Sequence, residues 1–188
     1  MRCALYVHIC NSLQSGTGGR HYVQFQNLQG KAVANSVYSV VYRSHAKPPY
    51  MARRTLNSIA RSGHSFNAEN KLTGMLLFFD GMFVQVLEGE TVPVLELSAR
   101  VAADRRNDQL KVLWQSNLDE RRFPAWAKGC FDFSDMPVGN TPLPRDIDAL
   151  SEGNIVWTEA MNERLHHFYL ENRAAGLEPA FREMRRTN

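Results

Sequence analysis

Two apolar runs, Leu72–Phe79 and Met82–Leu87, are separated only by Asp80-Gly81. Asp-Gly between β-type runs is the strongest short hairpin signal, because both residues accept the positive φ of a tight primed turn. Side chains alternate along a strand, so Phe83, Gln85 and Leu87 share one face and Met82, Val84 and Val86 the other. Both faces are largely apolar, and each has to be shielded from water. The chain must therefore build a sheet with cover on both sides.

The flanking segments supply that cover. Val37-Tyr-Ser-Val-Val-Tyr-Arg-Ser44 is rich in β-branched and aromatic residues and reads as a strand, ended by Lys47-Pro48-Pro49. Leu56, Ile59 and Ala60 recur at helical spacing, with Gly63 as a stop. Thr91 reads as an N-cap with Pro93 in the first turn, and Val94, Leu97 and Val101 form one helical face. Leu110 to Trp114 and Ala127 to Phe133 read as further strands. The order β-α-β-β-α-β-β predicts an α+β, ferredoxin-like sheet with both helices on one face. Trp157, Met161, Leu165 and Phe168 form an apolar stripe on a C-terminal lid helix for the other face. The expected organisation is an extension over 1–36, a domain over 37–133, and a linker with C-terminal helices over 134–188.

Composition narrows the function classes. A formal charge of +3, spread over isolated Arg pairs rather than a run, gives no footprint for nucleic acid. Three cysteines without a Cys-x-x-Cys fit a reducing, cytoplasmic setting. No apolar run approaches the length of a membrane span, and the apolar start lacks the layout of a signal peptide. The six histidines show no i,i+4 metal pair, and no phosphate-binding glycine loop or nucleophile elbow occurs.

What stands out is carboxamides beside apolar strands. Asn67 precedes the first run, and Gln85 lies between Phe83 and Leu87 on one strand face. An amide carries both donors and an acceptor, so the pair suits a planar ring that alternates the two. Gln85 also has a plainer use, satisfying backbone groups at a sheet end. Tyr42, ending an apolar strand, is either a core tyrosine or a phenol seeking an acceptor. Arg100 and Asp104 stand four apart and suit a surface ion pair; alternatively, Arg100 and Arg106 suit a diphosphate or ribityl tail.

Taken together, Val40-Val-Tyr42-Arg-Ser44, Asn67-Ala-Glu-Asn-Lys-Leu-Thr-Gly74, Asp80-Gly-Met-Phe-Val-Gln85-Val-Leu-Glu-Gly89, Arg100-x-x-x-Asp104-x-Arg106 and Arg122-Phe-x-x-Trp126 resemble the BLUF family of blue-light sensors. The resemblance covers about residues 37–133. It implies FAD held between two helices, with Tyr42 as electron and proton donor and Gln85 as the bridging amide that rearranges. It implies Asn67 on the C4 carbonyl and N3 edge, and Arg100, Asp104 and Arg106 near the cofactor tail. Trp126 joins the photoactive set, and Phe66 packs on the ring. Lys128 stands where the family usually has methionine. The family does no net chemistry on a substrate. The chain is therefore expected to be no enzyme, to form a homo-oligomer and to signal by contact with a downstream protein, without membrane or nucleic acid. A flavin enzyme and an unliganded regulatory or RNA-binding module are the competing readings.

Overall fold

The computed structural model describes residues 37–49, 58–59, 65–124, 130–133, 147, 150 and 156–174. The expected 1–36 extension, Gly63, Trp126, Lys128 and most of the Leu56–Ala60 helix and the 134–155 linker lie outside them. Among the described residues, β1 (Val37–Ala46), β2 (Thr73–Phe79), β3 (Met82–Gly89), β4 (Asn107–Leu118) and β5 (Cys130–Asp132) form one sheet in the order β4-β1-β3-β2-β5. The helices are α1 (Thr91–Ala102) and α2 (Glu159–Ala174). This is the α+β, ferredoxin-like arrangement expected from the sequence.

The hairpin is as anticipated. Asp80 and Gly81 hold φ of 47° and 67°, and Phe79 pairs with Met82 across the turn. β3 therefore lies between β1 and β2, with Tyr42 opposite Gln85 and Leu76 opposite Gln85 on the other side. Parity then sorts two cores. Met75, Leu77, Val84 and Val86 pack with Phe131, Met161, Leu165 and Phe168 on the α2 side. Tyr38, Val40, Tyr42 and Leu87 pack with Val94 and Leu97 of α1 on the other.

Four local expectations change. The N-cap of α1 is Glu90, with no side-chain cap bond, and Thr91 is already helical. Trp157 precedes α2 rather than riding on it; its indole N–H donates to Asn162 Oδ1 at 2.6 Å, which anchors the helix start. The backbone N–H of Met161 donates to Thr158 Oγ1, an N-cap bond. A helical turn over 65–69, unmarked by any apolar period, carries Asn67. β4 runs well beyond Leu110–Trp114 at both ends, with a bulge where Val41 faces Trp114 and Tyr42 faces Val112.

Glu88, near the end of β3, is fully buried on the α2 side. It accepts from the backbone N–H of Arg122 at 2.9 Å and of Phe123 at 3.0 Å, and from Ser39 Oγ at 3.3 Å. Burial pushes its carboxyl above the ordinary value of 4.5, opposed by these hydrogen bonds and by the Arg121 charge. A carboxyl raised in the folded state binds more protons than in the unfolded chain, so its contribution falls as pH rises past 4.5. Glu88→Gln has no such loss. Its stability relative to the native chain should grow as pH rises from that value through the raised carboxyl pKa of the folded state and be level on either side of that window, as denaturant midpoints across a pH series would measure.

Candidate functional site

A cavity of about 220 Å³ opens between α1, the 65–69 turn and the sheet. An apolar cavity of roughly 150 Å³ already admits a benzene ring, so this one has room for a larger flat system. Its walls include Phe66, Leu76, Phe83 and Leu97, and its polar lining includes Asn67, Gln85, Arg100, Asp104 and Arg106. Every cofactor-binding position expected from the sequence thus borders one space.

Strand register places the phenol beside the amide. Tyr42 sits on β1 directly across from Gln85 on β3, and its hydroxyl donates to Gln85 Oε1 at 2.5 Å. Tyr42 is 1% exposed and Gln85 6%. Burial holds the phenol pKa well above its ordinary value, so Tyr42 stays protonated across the physiological range. With Oε1 bonded to the phenol, Gln85 also borders the cavity, where its Nε2 end is free to serve as a donor to a ligand acceptor.

The arginines divide differently from the simplest expectation. Asp104 pairs with Arg106, whose guanidinium and backbone N–H both reach its carboxylate, and not with Arg100. Helix α1 ends at Ala102, so Asp104 lies beyond it and the i,i+4 geometry with Arg100 is never formed. The Asp104 carboxyl is lifted by partial burial and pulled down further by its bonds and charge contact with Arg106, ending below its ordinary value. Arg106 also donates to Ser58 Oγ at 3.2 Å. Arg100 instead stacks on Phe66, its guanidinium carbon 4.1 Å from the ring centre. Trp126, expected among the photoactive residues, lies outside the described residues.

Two lining residues were missed by the sequence reading. Ser44 borders the cavity because it follows Tyr42 by two on β1, a parity that was available. Asn107 is buried; its Nδ2 donates to the Val101 carbonyl at 3.2 Å, and its Oδ1 has no partner. In Asp104-Arg-Arg-Asn107-Asp108 it reads as one more loop polar, with no signal to single it out. The set fits a flavin ring. Apolar and aromatic walls face a flat body, and amides offer donors at its heteroatom edge.

Fold and site define an α+β ligand-binding domain whose pocket suits a flat, hydrogen-bonding ring. Residues 37–129 match the BLUF family, sensors of blue light using FAD, and the chain belongs to that family. It carries a blue-light flavin sensor domain. The chain is 33% identical over 107 residues to the photoactivated adenylate cyclase subunit beta-like protein FB of Euglena gracilis, a match covering 55% of this chain and 12% of that protein. It is 31% identical over 122 residues to photoactivated adenylate cyclase subunit beta of the same organism, covering 58% and 14%. The chain thus spans a small part of the length of these relatives. In structure it resembles the BLUF protein BlrB in its dark state, with a TM-score of 0.60 at 22% identity over 76% of this chain and 99% of that one. It also resembles BlsA in its photo-activated state, with a TM-score of 0.56 at 23% identity over 71% and 94%. At those identities the likeness bears on the fold.

Among the described residues no helix is long and apolar enough to cross a membrane.

Proposed function

We propose that the flavin is FAD, that the chain is a blue-light photoreceptor, and that it signals by contact with a partner protein rather than by acting on a substrate. The observation that carries this reading is the 2.5 Å bond from Tyr42 to Gln85, whose side chain also borders the cavity. Asn67 and Gln85 would hold the ring, Phe66 would pack against it, and Arg100, Asp104 and Arg106 would border its tail. A bound flavin supplies absorption of blue light and an excited state that accepts an electron.

The chain's own part follows from its hydrogen bonds. Tyr42 gives up an electron and passes its hydroxyl proton along the bond to Gln85 Oε1. Gln85, protonated there, would release a proton from Nε2 to an acceptor atom of the bound ring, so its side chain changes tautomer while its own charge stays zero. Return of the electron and proton by the same route restores the pair, and rotation of the amide about its Cγ–Cδ bond exchanges its donor and acceptor ends with no change of charge. Such a neutral amide is a two-state element biased by light.

Reconstitution tests the ligand. The purified chain should take up FAD, turn yellow and shift its absorption slightly and reversibly to the red in blue light. A chain that stays colourless with FAD would remove the reading. Asn67→Ala should weaken FAD binding about tenfold, the loss of roughly 1.4 kcal/mol of hydrogen bonding, measured by fluorescence titration.

A further inference from the structure

Gln85 and Glu88 are three residues apart on β3 and project from opposite faces of the sheet. At about 3.4 Å per residue they are separated by roughly 10 Å along one strand. Glu88 grips the 121–123 loop through two backbone N–H groups. Arg121 reinforces the same joint, its Nη1 donating at 2.7 Å to the Glu88 carbonyl and at 2.7 Å to Thr73 Oγ1. On its far side the loop holds α2. The Phe123 ring, almost fully buried, meets the rings of Tyr169 at 5.3 Å and His166 at 5.6 Å. Arg122 forms an ion pair with Glu159 in the first turn of α2.

We propose that Glu88 is the positioning residue that transmits the state of Gln85 to α2, by holding the 121–123 loop between the switch strand and the helix. This rests on the photoreceptor reading above. Its physical basis is a joint with two arrangements. Docked, the loop N–H groups sit on the carboxylate, yet Arg122 Nη1 is buried with no partner. A donor without a hydrogen-bond partner weighs against the docked arrangement. A small displacement of β3 at Gln85 moves the Glu88 oxygens relative to two N–H groups whose hydrogen bonds depend steeply on angle. The loop, and with it the Phe123 and Glu159 contacts, then follows or releases.

The test uses the full chain loaded with FAD and reads two quantities, the red shift in blue light and the light-minus-dark difference in amide hydrogen exchange over residues 159–174. In the native chain both should appear, the exchange difference at several-fold. Glu88→Ala should keep the red shift and bring the exchange difference in α2 to less than about twofold. Glu88→Gln, which retains an acceptor oxygen, should restore most of it. In case Glu88→Ala does not fold, the joint is tested at its partly exposed end. Arg122→Glu and Glu159→Arg should each uncouple α2, and the double exchange should recover coupling. An unchanged exchange difference in Glu88→Ala, or in both single charge reversals, overturns the proposal. So does a native chain with the red shift but no exchange difference in α2. Absence of the red shift in the native chain overturns the photoreceptor reading instead.

Discussion

Gln85→Leu is expected to abolish the light-driven red shift while the chain still binds flavin. Leucine fills a similar volume on the Phe83–Leu87 face of β3 but offers neither donor nor acceptor. The Tyr42 hydroxyl, buried and bonded to Gln85, then loses its acceptor. A buried hydroxyl left unpaired costs roughly 1–3 kcal/mol, so the variant should also be less stable by about that amount. Removing both partners is milder. The Tyr42→Phe, Gln85→Leu double variant should be less destabilised than the two single losses added together, because no orphan remains. Absorption difference spectra and denaturant midpoints on the four proteins measure both effects.

Phe168→Ala is expected to destabilise the chain by about 3–5 kcal/mol while sparing the red shift. Phe168 is buried on α2 and meets Phe131 of β5 edge to face at 5.2 Å, with Phe133 at 6.1 Å. Its loss opens a hole between the helix and the face of the sheet that carries Met75, Leu77, Val84 and Val86. For a chain of this size that corresponds to a fall in Tm of very roughly 10 °C. The cavity and the Tyr42–Gln85 pair lie on the other face, so the optical response should persist. A thermal scan beside a difference spectrum separates the two faces in one experiment.

The two-sided burial was legible because period-2 alternation needs nothing beyond the residues themselves. Phe83, Gln85 and Leu87 had to share a face, and Asp80-Gly81 set the register of β2 on β3. The pairing of Tyr42 with Gln85 was reached by resemblance, since β1 meets β3 only after the whole crossover has folded. β4 looks shorter in the sequence than in the fold for a local reason. It is an edge strand with polar ends at Asn107, Asp108, Gln115 and Asn117, and its bulge breaks the alternation a strand reading relies on. The Asp104–Arg106 pair was hidden because helical spacing was extended two residues past the true end of α1. Glu88 is inconspicuous in the sequence for the opposite reason. A carboxylate beside glycine at a strand end looks like rim, and only the returning 121–123 loop buries it.

That Tyr42 and Gln85 act as one light-operated pair is decided by blue-light difference spectra of the FAD-loaded native chain and of Tyr42→Phe. A small, reversible red shift in the native chain and none in Tyr42→Phe is the predicted result. A shift that survives in Tyr42→Phe, or a native chain that binds flavin and shows no shift at all, would contradict it.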